Sequence, residues 1–518
     1  MSRRQTIHHY IYAVLLCLLC MSMTTSVYVT NLVYCLLAVN WVVSWDWREK
    51  FSGFKKQYLL QAFLAFFLVH LLWMAGSENL SYGLFDIQKK LPLLALPLVI
   101  LTTPQLTRRQ ALNVLIAYCG TVVVVTFIGI VRYLTIPDLP YREIVPYISH
   151  IRFGLNICMC IALLAYLATR VRKTWLTIVV ALVTLWLLSF LLLLQAYTAF
   201  VILFITSWVI VVCYGNRMKD GVRKGLLITL TSVSLLLVMT VGYFAYGYYH
   251  LQPLSVQPLK STTVNGNPYC HGQDGMIENG NYISRYVCDE ELYAQWSQVS
   301  SKSLDSVTDA GYTLYPALVR YLNGKGLTKD SVGVSRLSPA DVEAVEKSIA
   351  NPVYLHHGSL RKMAYVMFYE FESYRCLRSV KNFTMLQRFE LWKTGCQVFA
   401  QHPLWGVGTG DVVDQCHAQL EANNSPLAGT SKHTHNQYLT LLATFGILGF
   451  GIILLFFIRA IRKNQMSASV LFTVHLCITL ISFVSEDTLE TLAGAVFVAL
   501  FICLLAPRKA GEVHPYRH

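Results

Sequence analysis

"WLTIVVALVTLWLLSFLLLL", residues 175–194, contains no charged side chain. Twenty residues of helix rise about 30 Å, the thickness of a bilayer's hydrocarbon core, so this stretch predicts a transmembrane helix. The rest of the chain agrees with it. The 518 residues are 55% hydrophobic and only 14% charged, and the mean hydropathy is +0.47. A soluble protein of this length would carry far more polar surface, so the composition predicts a polytopic membrane protein.

Outward from this segment, about twelve apolar runs follow one another. They start near Tyr10, Val27, Leu59, Leu91, Ala111, His150, Trp175, Ala196, Leu226, Asn436, Ser469 and Glu490. The first follows "MSRRQTIHHY" and has the outline of a signal peptide, but it lacks a small-x-small cleavage site and reads as a retained helix. "LCLLC" at 16–20 is a poor lipoprotein box.

Charge tests the count. With the N-terminus inside, the cytoplasmic segments are Arg3–Arg4, Arg48–Lys56, Arg108–Arg109, Arg170–Lys173, Arg217–Lys224, Arg459–Lys463 and the tail from Arg508. They hold 21 of the 42 basic residues and, with Asp46 beside them, only 4 of the 28 acids: +17, against −3 for everything else. The net +14 thus reports orientation in a membrane and gives no sign of nucleic-acid binding. Twelve spans with both ends inside fit this asymmetry.

One outside loop is long. From His250 to Lys432 the chain is polar over roughly 180 residues, enough for a small domain. "SPADVEAVEKSIA" has a Ser338 cap and Pro339 at the first helical position. From Asn382, "NFTMLQRFELWKTGCQVFAQ" has an amphipathic period and predicts a helix on or near the membrane face. Most of the 14 cysteines lie in apolar spans. Five (Cys270, Cys288, Cys376, Cys396, Cys416) lie in the loop, where an oxidising compartment would allow a Cys270–Cys288 bridge and leave one thiol over. No CxxC or other metal-type spacing occurs, so no metal site is expected.

Four places could carry chemistry. In "SKHTHNQYL", Asn436 is a candidate N-cap, which puts His435 just before a helix N-terminus, where the helix dipole favours a neutral imidazole able to act as a general base. The plainer reading is a histidine that anchors the helix end, and His433 has only proximity in its favour. In "RFELWKTGCQVFAQHPLWGVGTGD", Arg388 opens the amphipathic helix, and Gly406, Gly408 and Gly410 suggest a tight turn whose amides could face an anion or serve a plain bend. Arg152 lies near the outer end of the sixth span, as a site residue or a snorkelling one, and Lys89 and Lys90 stand outside against the inside bias. Glu486, Asp487 and Glu490 occupy the turn between the last two spans, either orienting a histidine or arginine or simply solvated. Asp289 with Glu291 and Glu370 with Glu372 read as surface acids.

Three of these segments together carry a resemblance. "HTHNQYLTLLATFGILG" resembles the H-N-x-[YF]-L…G-x-x-G signature of the O-antigen ligase/polymerase superfamily of membrane glycosyltransferases. "QRFELWKTGCQVFAQHPLWGVGTGD" resembles that family's stretch before the histidine, and "SEDTLETLAGAVFVALF" its closing helices. Motif detail covers about the last 140 residues. The chain departs at the eighth span, where "LQAYTAF" around Tyr197 replaces a Ser-Arg-small motif, so no arginine carries over there. The stretch from 250 to about 381 has no counterpart in the pattern.

The resemblance implies an all-α polytopic membrane protein, GT-C-like, with about twelve transmembrane helices and one large periplasmic loop domain. Residues 1–249 would hold nine spans, 250–435 the loop, and 436–518 three spans and a cytoplasmic tail. It would sit multi-pass in the bacterial inner membrane, both termini cytoplasmic and the active site periplasmic. The implied activity moves a glycan from undecaprenyl pyrophosphate to lipid A–core, with no cofactor or metal and with inversion at the sugar. His435 would be the base; Arg388, Arg152 and Lys90 would hold pyrophosphate; His433, Asn436, Glu486 and Asp487 would orient. The partners would be that donor, that acceptor and membrane lipids. A polysaccharide polymerase and a protein O-oligosaccharyltransferase share the chemistry. A transporter without covalent chemistry would need mid-span charges and internal repeats, of which the sequence has few and none.

Overall fold

The computed structural model describes residues 3–44, 47–51, 54–137, 139–170, 173–273, 275–308, 311–355, 360–377, 383–429 and 433–507. Asp46, Asn382, Lys432 and the basic tail from Arg508 lie outside these ranges. The chain forms two compact units: Met1–Leu227 with Glu390–His518, and Ile228–Phe389. The expected loop, 250–435, is therefore divided between them, its last part belonging to the first unit.

The protein is an all-α polytopic membrane protein. Among the described residues, eight helices are long and apolar enough to cross a bilayer: Arg3–Ser22, Tyr58–Gly76, Arg108–Thr135, His150–Ala168, Thr174–Leu193, Tyr197–Arg217, Asp220–Tyr249 and Gln437–Lys463. Val27–Val43, Val470–Ser485 and Leu492–Leu505 are apolar but shorter. Eleven of the twelve expected spans fall on these helices. The twelfth differs: the run from Leu91 is an eleven-residue helix, Pro92–Thr102, broken from an equally short helix, Leu80–Lys90. At about 16 Å each, neither crosses a bilayer alone. Pro92 starts the second and Pro97 sits inside it, each without an N–H for the helical ladder.

Helix starts are set locally. Thr107 and Gln110 form a reciprocal capping box, and Ser149, Asn436, Ser469 and Thr491 each accept a first-turn N–H. In the first unit a continuous apolar core runs through Leu16, Leu96, Tyr118, Phe153, Phe190, Phe445, Ile478 and Phe501.

The second unit is built from short helices and one hairpin, Ile277–Glu278 with Asn281–Tyr282. Asn279 and Gly280 turn it with φ of +53° and +77°, the backbone a two-residue hairpin turn needs. Leu292, Trp296, Leu318, Tyr321 and Val345 fill its core. The helix Pro339–Glu346 opens on Ser338 as expected, through a capping box with Asp341. Three acids read as surface residues are instead buried: Glu291, Glu370 and Glu372, at 6%, 7% and 3% exposure. Each is used. Glu291 accepts from Thr263, Asn267 and Ser331, Glu370 from the Met385 amide, and Glu372 pairs with Arg375 at 2.7 Å. The Cys270–Cys288 bridge that the sequence allows is not formed, and none of the fourteen cysteines is in a disulfide. Cys270 pairs across an antiparallel bridge with Val287, which turns the neighbouring Cys288 side chain to the other face.

Candidate active site

The site is assembled in the first unit from the segment entering helix Gln437–Lys463, the turn joining Val470–Ser485 to Leu492–Leu505, and helix Leu80–Lys90. Asn436 is the N-cap, its side chain accepting from the Leu439 amide at 3.1 Å. Three consecutive residues then tie this helix start to the turn. The His435 amide donates to Asp487 Oδ2 at 2.8 Å, Asn436 Nδ2 donates to the Val484 carbonyl at 3.1 Å, and Gln437 Nε2 donates to Glu490 Oε1 at 2.9 Å. Gln437 Oε1 also accepts from the Leu489 amide at 2.8 Å, and Thr440 donates to Asp487 Oδ1 at 3.0 Å.

His435 has φ of +50°, a left-handed conformation that costs a side-chain-bearing residue about 1 kcal/mol or more. The Asp487 bond helps fix it there. Its imidazole is 40% exposed, with Nδ1 3.8 Å from Asp487 Oδ2, within ion-pair range but too long for a hydrogen bond. His433 faces elsewhere: its Nε2 meets the Tyr82 hydroxyl at 3.2 Å, and burial lowers its pKa.

Asp487 and Glu490 are buried, at 6% exposure each, so the turn is not the solvated bend its sequence allows. Lys90, expected as an outward cation, is 2% exposed; its ammonium bonds Asp86 at 2.5 Å and Glu490 at 2.7 Å. Burial works against its charge, but the two carboxylates outweigh that and raise its pKa. Burial likewise opposes the Glu490 charge, and Lys90 overrides it, holding that carboxyl well below its usual range. Burial and the Glu490 charge push Asp487 up to about 7, against the pull of its bonds to Thr440 and the His435 amide. Arg152 lies in the first turn of helix His150–Ala168 and interacts electrostatically with Glu486 and Asp487. Arg388 lies in the helix Thr384–Gln401, on the part belonging to the second unit.

The glycine turn does something other than face an anion. Helix Gln437–Lys463 breaks at Gly446, whose φ of +60° and ψ of −168° are not helical. "HPLWGVG" runs through the break. The Val407 and Gly408 amides donate to the Ala443 and Thr444 carbonyls at 2.9 and 3.0 Å. The Ile447 and Leu448 amides donate to Pro403 and Leu404 at 2.8 and 3.1 Å. Beyond it the Gly410 amide bonds Ser77, and Asp411 accepts the Glu78 and Asn79 amides at the head of helix Leu80–Lys90. Those amides are consumed holding two site-bearing helices together.

Asp86, Gln437 and Thr440 do not stand out in the sequence as site residues. Only Asp86 leaves a signal there, an Asp–Lys pair at helical i,i+4 spacing in "DIQKK".

Residues 348–454 match the O-antigen ligase family. The match supports the resemblance to the O-antigen ligase/polymerase superfamily. It takes in Arg388, the wedge through the broken helix and the His433–Gln437 segment, and stops before the turn that holds Asp487. No curated protein matches the chain.

Proposed function

We propose that this protein is a metal-independent O-antigen ligase-type glycosyltransferase, moving a glycan from undecaprenyl pyrophosphate to lipid A–core at the periplasmic face of the bacterial inner membrane. The observation that carries the reading is His435, fixed through its backbone by a buried carboxylate, with its ring 40% exposed and Nδ1 3.8 Å from that same carboxylate. With Nδ1 turned toward Asp487, Nε2 is the nitrogen to which this reading assigns the acceptor hydroxyl. The acceptor oxygen attacks the anomeric carbon as its proton passes to His435. The bond from that carbon to pyrophosphate breaks on the opposite side, inverting the sugar, and the electron pair leaves with the diphosphate. Asp487 supports the imidazolium so formed. Arg152 stabilises the pyrophosphate charge, for which arginine's fixed planar donors are suited. Lys90, neutralised by two carboxylates, acts on the site through Glu490.

Surface-glycan analysis of a deletion strain carrying empty vector, wild type or a His435 variant tests the reading. Expected are bare lipid A–core and polymer stranded on the carrier, restored only by wild type. Core capped by a single repeat unit would instead identify a polymerase, and loss of protein glycans alone the protein-directed enzyme. Normal transfer with glycan trapped inside would mean a transporter.

The reaction should also depend on pH. Asp487 ionises near pH 7, so transfer in membranes is expected to rise as pH climbs through about 7, and Asp487→Asn to lose both the rise and most of the rate. Its stability effect has the opposite sign. Folding raises this carboxyl from 3.8 to about 7, so its contribution favours the fold most below pH 3.8 and is lost as pH rises to 7.

A further inference from the structure

The buried chain Lys90–Glu490–Gln437 is larger than a structural tie at a helix end requires. Glu490 spends one carboxylate oxygen on Lys90 at 2.7 Å and the other on Gln437 at 2.9 Å. Gln437 is fully buried and returns its own oxygen to the Leu489 amide. Glu490 is thus bonded from two helices at once, three residues past the carboxylate that fixes His435. A hydrophobic contact would seal this spot at lower desolvation cost, since buried ion pairs seldom add net stability. What such a network does provide is a single geometry with a fixed charge beside the working pair.

We propose that Glu490 and Gln437 are positioning residues for glycan transfer, Gln437 setting the geometry of the His435–Asp487 pair and Glu490 setting the electrostatic field in which Asp487 works. The inference rests on the reading of His435 as the base. Asp487 is faced by Glu490 and Glu486 from its own turn, by His435 and Thr440 from the entry to helix Gln437–Lys463, and by Arg152 from helix His150–Ala168. Tyr82 and Cys416 also feel its charge. Among these, Glu490 exerts the largest charge effect on it.

The two residues are separable by experiment. Glu490→Gln keeps an acceptor for Gln437 and leaves Lys90 paired with Asp86; it removes the negative charge and gives up the bond that Lys90 donates to Glu490. Gln437→Leu keeps the volume and removes both hydrogen bonds. Membranes of the deletion strain, holding native donor and acceptor and each full-length variant in turn, are assayed for initial transfer rate from about pH 5 to 9, with folded protein quantified. Glu490→Gln is expected to move the acid limb down by roughly one pH unit, because a nearby like charge raises a carboxyl's pKa. Gln437→Leu is expected to lower the plateau rate about tenfold to a hundredfold per folded molecule, with the limb unmoved. An unshifted limb in Glu490→Gln together with a wild-type rate per folded molecule in Gln437→Leu would overturn the inference, whatever their folded yields. His435→Asn in the same assay separates the two failures. If it is inactive while both other variants behave as wild type, only the positioning roles fall; if it transfers normally, the base assignment falls and takes this inference with it.

Discussion

His435→Asn is expected to cut glycan transfer by about 10²–10⁴-fold, the usual cost of losing a general base, while leaving the amount and thermal stability of folded protein nearly unchanged. Asparagine suits the position because it tolerates a left-handed backbone, which His435 adopts at φ +50°. It also keeps the backbone amide that donates to Asp487 at 2.8 Å and the carbonyl that receives the Trp392 indole N–H at 3.4 Å. Both of those anchoring contacts belong to the main chain. A histidine serving only to hold the helix end would therefore be replaceable by asparagine, and transfer would continue. Alanine discriminates less well, since it adds backbone strain to the lost imidazole. The measurement pairs polymer-bearing lipid A–core per molecule of enzyme with a melting curve in detergent. Wild-type transfer by His435→Asn would return the ring to an anchoring role.

The spans and caps are legible in the sequence because their causes are local. A bilayer imposes apolar runs of fixed length, and a helix start after Asn436 needs only the side chain at that position. The exception among the spans, Leu91 onward, arises where Pro92 and Pro97 interrupt an otherwise apolar run. The acidic turn cannot be read this way. Glu490 is buried because Lys90, 400 residues earlier in the chain, lies against it, and no local pattern foretells that pairing. Lys89 and Lys90 look alike in "DIQKK", yet one stacks its ammonium over Phe85 at 4.0 Å while the other is enclosed by carboxylates. The histidine and its cap can be read from sequence; the carboxylate that holds the histidine is visible there only as one of three acids in a turn.

The wedge through the broken helix gives the second large effect. Gly446→Ala is expected to cost about 4 kcal/mol or more and to remove most folded protein from the membrane. Two terms add. The backbone at φ +60° and ψ −168° is essentially restricted to glycine, a penalty of about 1–3 kcal/mol for any other residue. A Cβ there would also lie 2.3 Å from the Leu404 carbonyl oxygen, and that oxygen cannot withdraw without giving up its bond from the Leu448 amide. Gly406 faces the reciprocal problem, its Cβ 2.3 Å from the Thr444 oxygen, so neither strand of the crossing can yield to the other. In a bilayer the freed amides find no water, which makes each lost bond more costly than in a soluble protein. Gly451→Ala is the control. It lies in the same helix, where an added methyl would meet nothing within 4 Å, and should be neutral or slightly stabilising, as alanine is in any exposed helical position. Equal folded yield and melting temperature for the two variants would show that the crossing is not rigid. If Gly446→Ala fails as expected, the break is what sets the direction of the half-helix beginning at Gln437, and through Asn436 and Gln437 the place where His435 presents its ring.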